Sequence, residues 1–342
     1  MLQALLKNKR FMIGLSFILV LLLSSMLYHV LFDNHIPVAH LMTDDNGTIT
    51  AKPPYSPWVH LLFGTDHVSR DLFIIILIGA KYTIGIALLI AFVRFLLSSM
   101  FGIFLQLYLP SFLRRSKPWF EGFYYFPASI LAYLFFSFVL MEDGYRDGFA
   151  TTFSERVMFE IIVLIAIGIP IVLMNVSKEV NILQKKEFVD SVKVLGGSRW
   201  HLLNVHLMPY LRPRLFLLFV REVIQVLLLL AHLGILNILF GGAQIKTDMF
   251  DKAVFVSLSS EWSGLIGSNF RFLYTSYYWI PLVPILCFTF AILAFKLMVE
   301  GFESVLESQK VTNERVSIAK QVIEKRKKRS VSVKSDSFDS LS

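Results

Sequence analysis

Charge is scarce in this chain. Asp, Glu, Lys and Arg supply 17% of its 342 residues and hydrophobic residues 55%, whereas soluble domains carry about 25% charge. That balance excludes a water-soluble globular fold, and a mean hydropathy of +0.63 marks an integral membrane protein. Cysteine is nearly absent too. The single Cys287 excludes an intramolecular disulfide and a cysteine-based metal site, and leaves the redox compartment open. Catalytic and nucleotide signatures are also lacking: there is no H-E-x-x-H, no G-x-S-x-G and no His/Cys cluster with metal spacing, and GGAQIKT at 241–247 misses the G-x-x-x-x-G-K-[ST] spacing of a phosphate loop. Neither a cofactor nor a bound metal is expected in this chain. The net charge of +8 resides beside apolar runs and in the C-terminal tail, so positive-inside topology accounts for it and nucleic acid is not an expected partner.

Apolar runs are what the chain has in quantity, and crossing the hydrocarbon core takes about 20 such residues. Lys7, Lys9 and Arg10 precede the run 11–32, which reads as an anchor with its N-terminus in the cytoplasm. Segment 33–71, with four prolines and the turn Asn46-Gly47, is expected outside with little regular structure. Run 72–109 exceeds one perpendicular span and suggests an interfacial helix leading into a tilted one. A short basic loop, 110–118, precedes the spans 119–141 and 157–176, the latter loosened by Pro170. Spans 211–240 and 277–299 follow, separated by an external segment at 241–276. The reading is an all-α membrane protein of about six transmembrane helices with both termini inside. The tail, 300–342, is amphipathic, then basic at 325–329, where anionic membrane lipid is a candidate partner, and then Ser-rich and expected to be disordered.

Between two of these runs lies a polar island, 187–209, far longer than a helix connection needs. Phe188, Val192 and Leu195 recur at helical spacing around Asp190, Gly196-Gly197 interrupts, and Trp200, Leu203 and Leu207 resume the period. Two short amphipathic helices about a glycine turn are predicted. Ser198 is placed to cap the second, and Pro209 ends it or opens the next. Arg94, Arg221 and Glu222 are ionisable residues inside spans, as is Lys296, and such residues face the bundle interior or a wet path. Arg221 and Glu222 stand about 100° apart on a helix, so each is expected to meet a different partner.

The island resembles the cytoplasmic EAA loop of ABC importer permeases in its oligopeptide and dipeptide form. The matching residues are Glu187, Phe188, Val189, Asp190, Leu195, Gly196, Gly197, His206 and Pro209. Two further blocks are similar to that family: His60-Leu61-Leu62-Phe63-Gly64-Thr65-Asp66 with Arg70-Asp71 and Gly79-Ala80-Lys81, and Glu261-Trp262 with Trp279 and Pro284. The likeness runs from about His60 to Leu306. It departs at Ser191-Val192, where the family has Ala-Ala, at Ser69 for Gly, and at Ala231-His232-Leu233-Gly234 for S-F-L-G.

What the resemblance implies is a type I permease fold in a bacterial inner membrane, with a core at 72–299 and an ATPase-coupling loop at 185–209. Glu187, Asp190, Val192, Leu195, Gly196, Gly197, Trp200, Leu203, His206 and Pro209 would form that loop. From their place inside spans, and not from the resemblance, Arg94, Arg221 and Glu222 are candidates for the translocation path, with packing, snorkelling or subunit pairing near the inner leaflet as the alternative. The implied partners are a second homologous permease forming a heterodimer, two ABC ATPase subunits that hold ATP and Mg, and an extracytoplasmic substrate-binding protein. Peptide is the implied cargo, with nickel or another small solute as the alternative. A secondary transporter would need paired mid-membrane carboxylates and internal repeats, and neither is evident.

Overall fold

The computed structural model describes residues 2–44, 49–59, 62–140, 151–247, 253–257 and 259–339. The Asn46-Gly47 turn, His60-Leu61 and most of the expected external connection at 142–156 therefore lie outside the described residues. A short α1 (Leu2–Lys7) leads into α2 (Lys9–Phe32), which starts on a cap in which Phe11 N–H donates to Asn8 Oδ1 at 3.2 Å. After a small hairpin of β1 (Met42–Thr43) and β2 (Ile49–Ala51) comes α3 (Leu72–Tyr108). This is one continuous helix of 37 residues, not the interfacial helix plus span expected, because nothing between its ends is proline and its mean composition is apolar throughout.

The third expected span is divided. Residues 110–118, expected as a loop, belong to α4 (Pro110–Tyr125), and α5 (Ala128–Leu140) follows it. Pro110 fits the first turn of a helix, where its missing N–H costs nothing. Pro127 then forces the break, and Phe126 before it is extended at φ −95°, ψ 124°. Next come α6 (Phe153–Gln184), opened by a reciprocal cap between Thr152 and Glu155, α7 (Glu187–Val194) and α8 (Arg199–His201). A π-helical turn, Leu202–Leu207, then merges into α9 (Met208–Ile235). Pro170 lies within α6 without ending it.

Beyond α9, the phosphate-loop-like stretch is a hairpin of β3 (Ala243–Thr247) and β4 (Ala253–Ser257), not a strand leading to a helix. It is followed by α10 (Trp262–Asn269), a 3-10 turn at Phe270–Tyr274, and α11 (Trp279–Asp339). The end expected to be disordered continues this helix as far as Asp339; the sequence after Gly301 contains neither Gly nor Pro to stop it.

Among the described residues, five helical stretches are long and apolar enough to cross a membrane: Lys9–Phe32, Leu72–Tyr108, Phe153–Gln184, Arg199–Ile235 and Trp279–Gln309. The shorter apolar Ala128–Ser137 in α5 stands in the place of the sixth. Helices meet through small residues, as lipid-immersed packing requires. At Gly102 of α3 a Cβ would sit 2.9 Å from the Leu173 carbonyl of α6, and Ser177 Oγ donates to Gly102 O at 3.1 Å. Large side chains of α2 such as Val20, Leu23 and Val30 point outward, as a lipid-facing helix demands.

Candidate functional site

The island folds as a clip under the bundle. Val189 of α7 is buried with Leu202, Leu203, Leu207 and Leu211 against Leu107 of α3 and Val180 and Leu183 of α6. Two anchors hold its ends. Phe188 lies 5.7 Å from the Tyr210 ring, and Arg199 Nη1 donates to the Leu107 and Tyr108 carbonyls at 3.2 and 3.4 Å, with its guanidinium over the Tyr108 ring. A cation on those carbonyls satisfies acceptors that α3 leaves free at its C-terminus. The turn between α7 and α8 closes with Gly196 at φ +78° and Gly197 N–H donating to Val192 O at 3.1 Å. Ser198 Oγ accepts from His201 N–H at 3.2 Å, the cap that the sequence predicts.

The structure separates residues that the apolar period had grouped together. Leu203 and Leu207 point up into the bundle, and Val192 packs partly against the same cluster. Trp200 is 64% exposed, Leu195 86% and Val194 87%. A Cβ at Gly196 would have nothing within 4 Å. His206 stacks edge-on with His201 at 5.5 Å, and Pro209 stands in the first turn of α9. Exposed apolar groups of this size are not accounted for by packing within the chain. Sequence reasoning passed over Val194 and Arg199. Val194 falls off the period of Phe188, Val192 and Leu195, and Arg199 carries no apolar signal, so neither stands out in the pattern.

Higher in the bundle, a cavity of about 690 Å³ opens among α3, α4, α6 and α9. Arg94, Arg221 and Glu222 all line it, yet they do not form one cluster. The Arg94 side chain is 4% exposed and the Glu222 side chain 10%, and the two form an ion pair across α3 and α9. Arg94 Nη2 also donates to the Leu164 carbonyl of α6. Room for this guanidinium comes from Gly168, whose missing Cβ would lie 2.1–2.3 Å from Arg94 Nε, Cζ and Cδ. Arg221 instead pairs with Glu303 of α11. The different partners expected for neighbours 100° apart are thus found. Lys296 and Arg10 both approach Glu300 at 3.8 Å on the exposed surface.

At the opposite end, the other two sequence blocks are structural clamps. Asp71 caps α3 by accepting from Phe73 N–H at 2.9 Å and Ile74 N–H at 3.4 Å. Asp66 accepts from Val68 and Arg70 N–H and pairs with the Arg70 guanidinium at 2.8 Å. Ser69, where the resembling family has Gly, adopts φ +66°, the left-handed backbone that explains a glycine there. His67 Nδ1 lies 2.7 Å from Asn269 Oδ1, tying this loop to α10, and burial pushes its pKa below the ordinary histidine value. Glu261 caps α10 through Ser263 and Gly264 N–H, and Trp262 is fully buried. Its N–H donates to Thr83 Oγ1 at 2.9 Å and its indole N–H to Ile76 O at 2.8 Å. Glu160, an acid inside a span, accepts from Gly241 N–H at 2.7 Å, while Arg156 Nε donates to Gly241 O at 2.8 Å. Among the described residues no group of three metal-ligating side chains gathers.

Fold and helix content define the class, an all-α, multi-pass membrane protein. No family model matches the chain. It is nevertheless 23% identical over 309 residues, 89% of this chain and 90% of the relative, to proteins of Brucella abortus biovar 1 (strain 9-941) and Brucella melitensis biotype 1 that are named peptide transport system permeases. It is also 21% identical over 290 residues, 85% of each chain, to Escherichia coli (strain K12) DdpC, named a D,D-dipeptide transport system permease. The resemblance carried by the three sequence blocks thus extends over nearly the whole chain. The chain is similar over most of its length to proteins named as permeases of peptide transport systems.

Proposed function

We propose that the chain is one permease subunit of an ATP-driven ABC importer for peptides. It forms half of the translocation path along the cavity at Arg94 and Glu222, and it receives force at 185–209. The observation that carries this is the clip. Its interior is pinned to α3, α6 and α9, while Val194, Leu195 and Trp200 stand exposed around an open Gly196. A rigid lever seated in a partner's groove has this form. On this reading both termini and the clip are cytoplasmic, and ATP and Mg are handled by two partner ATPase subunits, with no catalysis in this chain. A second, homologous permease completes the path, and a binding protein delivers cargo to 33–71 and 241–276.

The test is co-purification of ATPase subunits with the triple variant Val194→Ser, Leu195→Ser, Trp200→Ser, alongside peptide uptake by the reconstituted complex. Loss of both, with the variant still in the membrane, is expected. Undiminished ATPase binding and uptake would overturn the assignment.

A further inference from the structure

A second cavity, of about 590 Å³, lies at the clip end of the bundle between the end of α3, α4 and α6. It shares Tyr124, Asn175 and Lys178 with the larger cavity above, so the two form consecutive stretches of one groove along α6. The junction is built: Tyr124 Oη donates to Asn175 Oδ1 at 2.8 Å, joining α4 to α6 at the waist. On α4, Pro110, Leu113, Arg114, Lys117, Glu121 and Tyr124 recur at helical spacing and line this groove. Phe112 and Trp119 fall on the opposite, exposed face. The charged side of α4 is therefore turned toward the path.

Charge pairing in the groove is uneven. Every acid that lines it is engaged: Glu121 by Lys117 at 3.2 Å, Glu179 by Arg214 at 2.5 Å, and Glu222 by Arg94. Arg221 is engaged by Glu303. Among the described residues, Arg114 and Lys178 have no acidic partner, and both line the lower cavity. A surplus of two cations beside the neutral donors of Asn175 and Asn181 is the chemistry of an anion site.

Building on the importer reading above, we infer that Arg114 and Lys178 form a carboxylate site at the inner mouth of the path. It takes the C-terminal or acidic side-chain carboxylate of the passing peptide. Lys178 stands at the junction, so it meets the carboxylate as it leaves the upper cavity, and Arg114 receives it below.

The experiment uses the complete complex in proteoliposomes and two matched peptide pairs, one with a free C-terminus against its amide, the other with Glu against Gln in the side chain. Preference is read as the uptake ratio within each pair, so that selection by the binding protein cancels between wild type and variants. In the double variant Arg114→Gln, Lys178→Gln the preference for the anionic member should fall about tenfold, the size of one lost charge-assisted bond. Arg114→Lys, Lys178→Arg should restore it. An unchanged ratio, or an equal loss for both members of each pair, overturns the site. So does loss of bound anionic phospholipid in native mass spectrometry without a change in ratio, which would make the cleft a headgroup site. If the wild-type complex moves none of the peptides, the importer reading fails as well, and the wild-type control separates that result from failure of the carboxylate site alone.

Discussion

Gly168→Ala probes the buried ion pair directly. In an exposed helix interior, glycine to alanine stabilises by about 1 kcal/mol. Here the three atoms nearest to the added Cβ all belong to Arg94, at 2.1–2.3 Å, and that guanidinium is held by Glu222 and the Leu164 carbonyl. The methyl group must therefore expel Arg94 from its partners. Removing one partner of a buried pair costs about 3–5 kcal/mol because the other charge is left unpaired; expelling Arg94 strands Glu222 in the same way, which leaves a net loss of about 2–4 kcal/mol after the helix-propensity gain. The control removes both charges with Arg94→Met, Glu222→Leu. In that background the obstacle is gone, and Gly168→Ala should be neutral or stabilising by about 1 kcal/mol. Unfolding of purified protein in mixed micelles, followed by tryptophan fluorescence, closes the double-mutant cycle. Equal costs in the two backgrounds would refute the claim that Gly168 exists to seat Arg94.

Four further outcomes are expected. Gly196→Asn keeps the left-handed turn at little cost, and Gly196→Trp adds about 1–2 kcal/mol of strain with free space around it; both should reach the membrane, but only Trp should release ATPase subunits or uncouple hydrolysis from uptake. Arg199→Ala removes two bonds to α3 carbonyls and should speed hydrogen exchange across 187–207 while leaving α9 protected, reflecting about 1.5–3 kcal/mol of local stability. Thr83→Val strands the Trp262 N–H in a fully buried site and should cost about 1–3 kcal/mol in the same unfolding assay. His67 is held neutral chiefly by burial, with Arg70 and Arg271 adding to that effect and Asp66 and the Asn269 hydrogen bond opposing it. The unfolded chain therefore binds the extra proton first, and stability should fall as pH drops through about 6.5; limited proteolysis of the 62–71 loop should report this and lose part of its pH dependence in His67→Gln.

Reading the sequence succeeded where one physical constraint dominates. Hydropathy requires helices in lipid, and a left-handed turn favours glycine, so the spans and the Gly196 turn were legible from residue order alone. The boundaries that failed turn on single backbone events. Pro127 splits a continuous apolar run that hydropathy averages across, and Pro110 starts a helix where a cluster of Arg and Lys suggested a loop. Partnerships were less accessible still. Arg221 and Glu222 could be assigned to different faces from the helical period, but Arg94 sits 128 positions from Glu222, and the glycine that admits it is on a third helix. The Asp66, Asp71 and Glu261 positions show the same limit from the other side. Their pattern was conspicuous enough to carry a family resemblance, yet what they do is local: they cap helices and satisfy backbone N–H groups. A motif therefore located these residues without disclosing their work. The clip was different, because its division into buried Leu203 and Leu207 and exposed Leu195 and Trp200 depends on which helices lie above it, and a helical period alone cannot tell an apolar face that packs from one left bare.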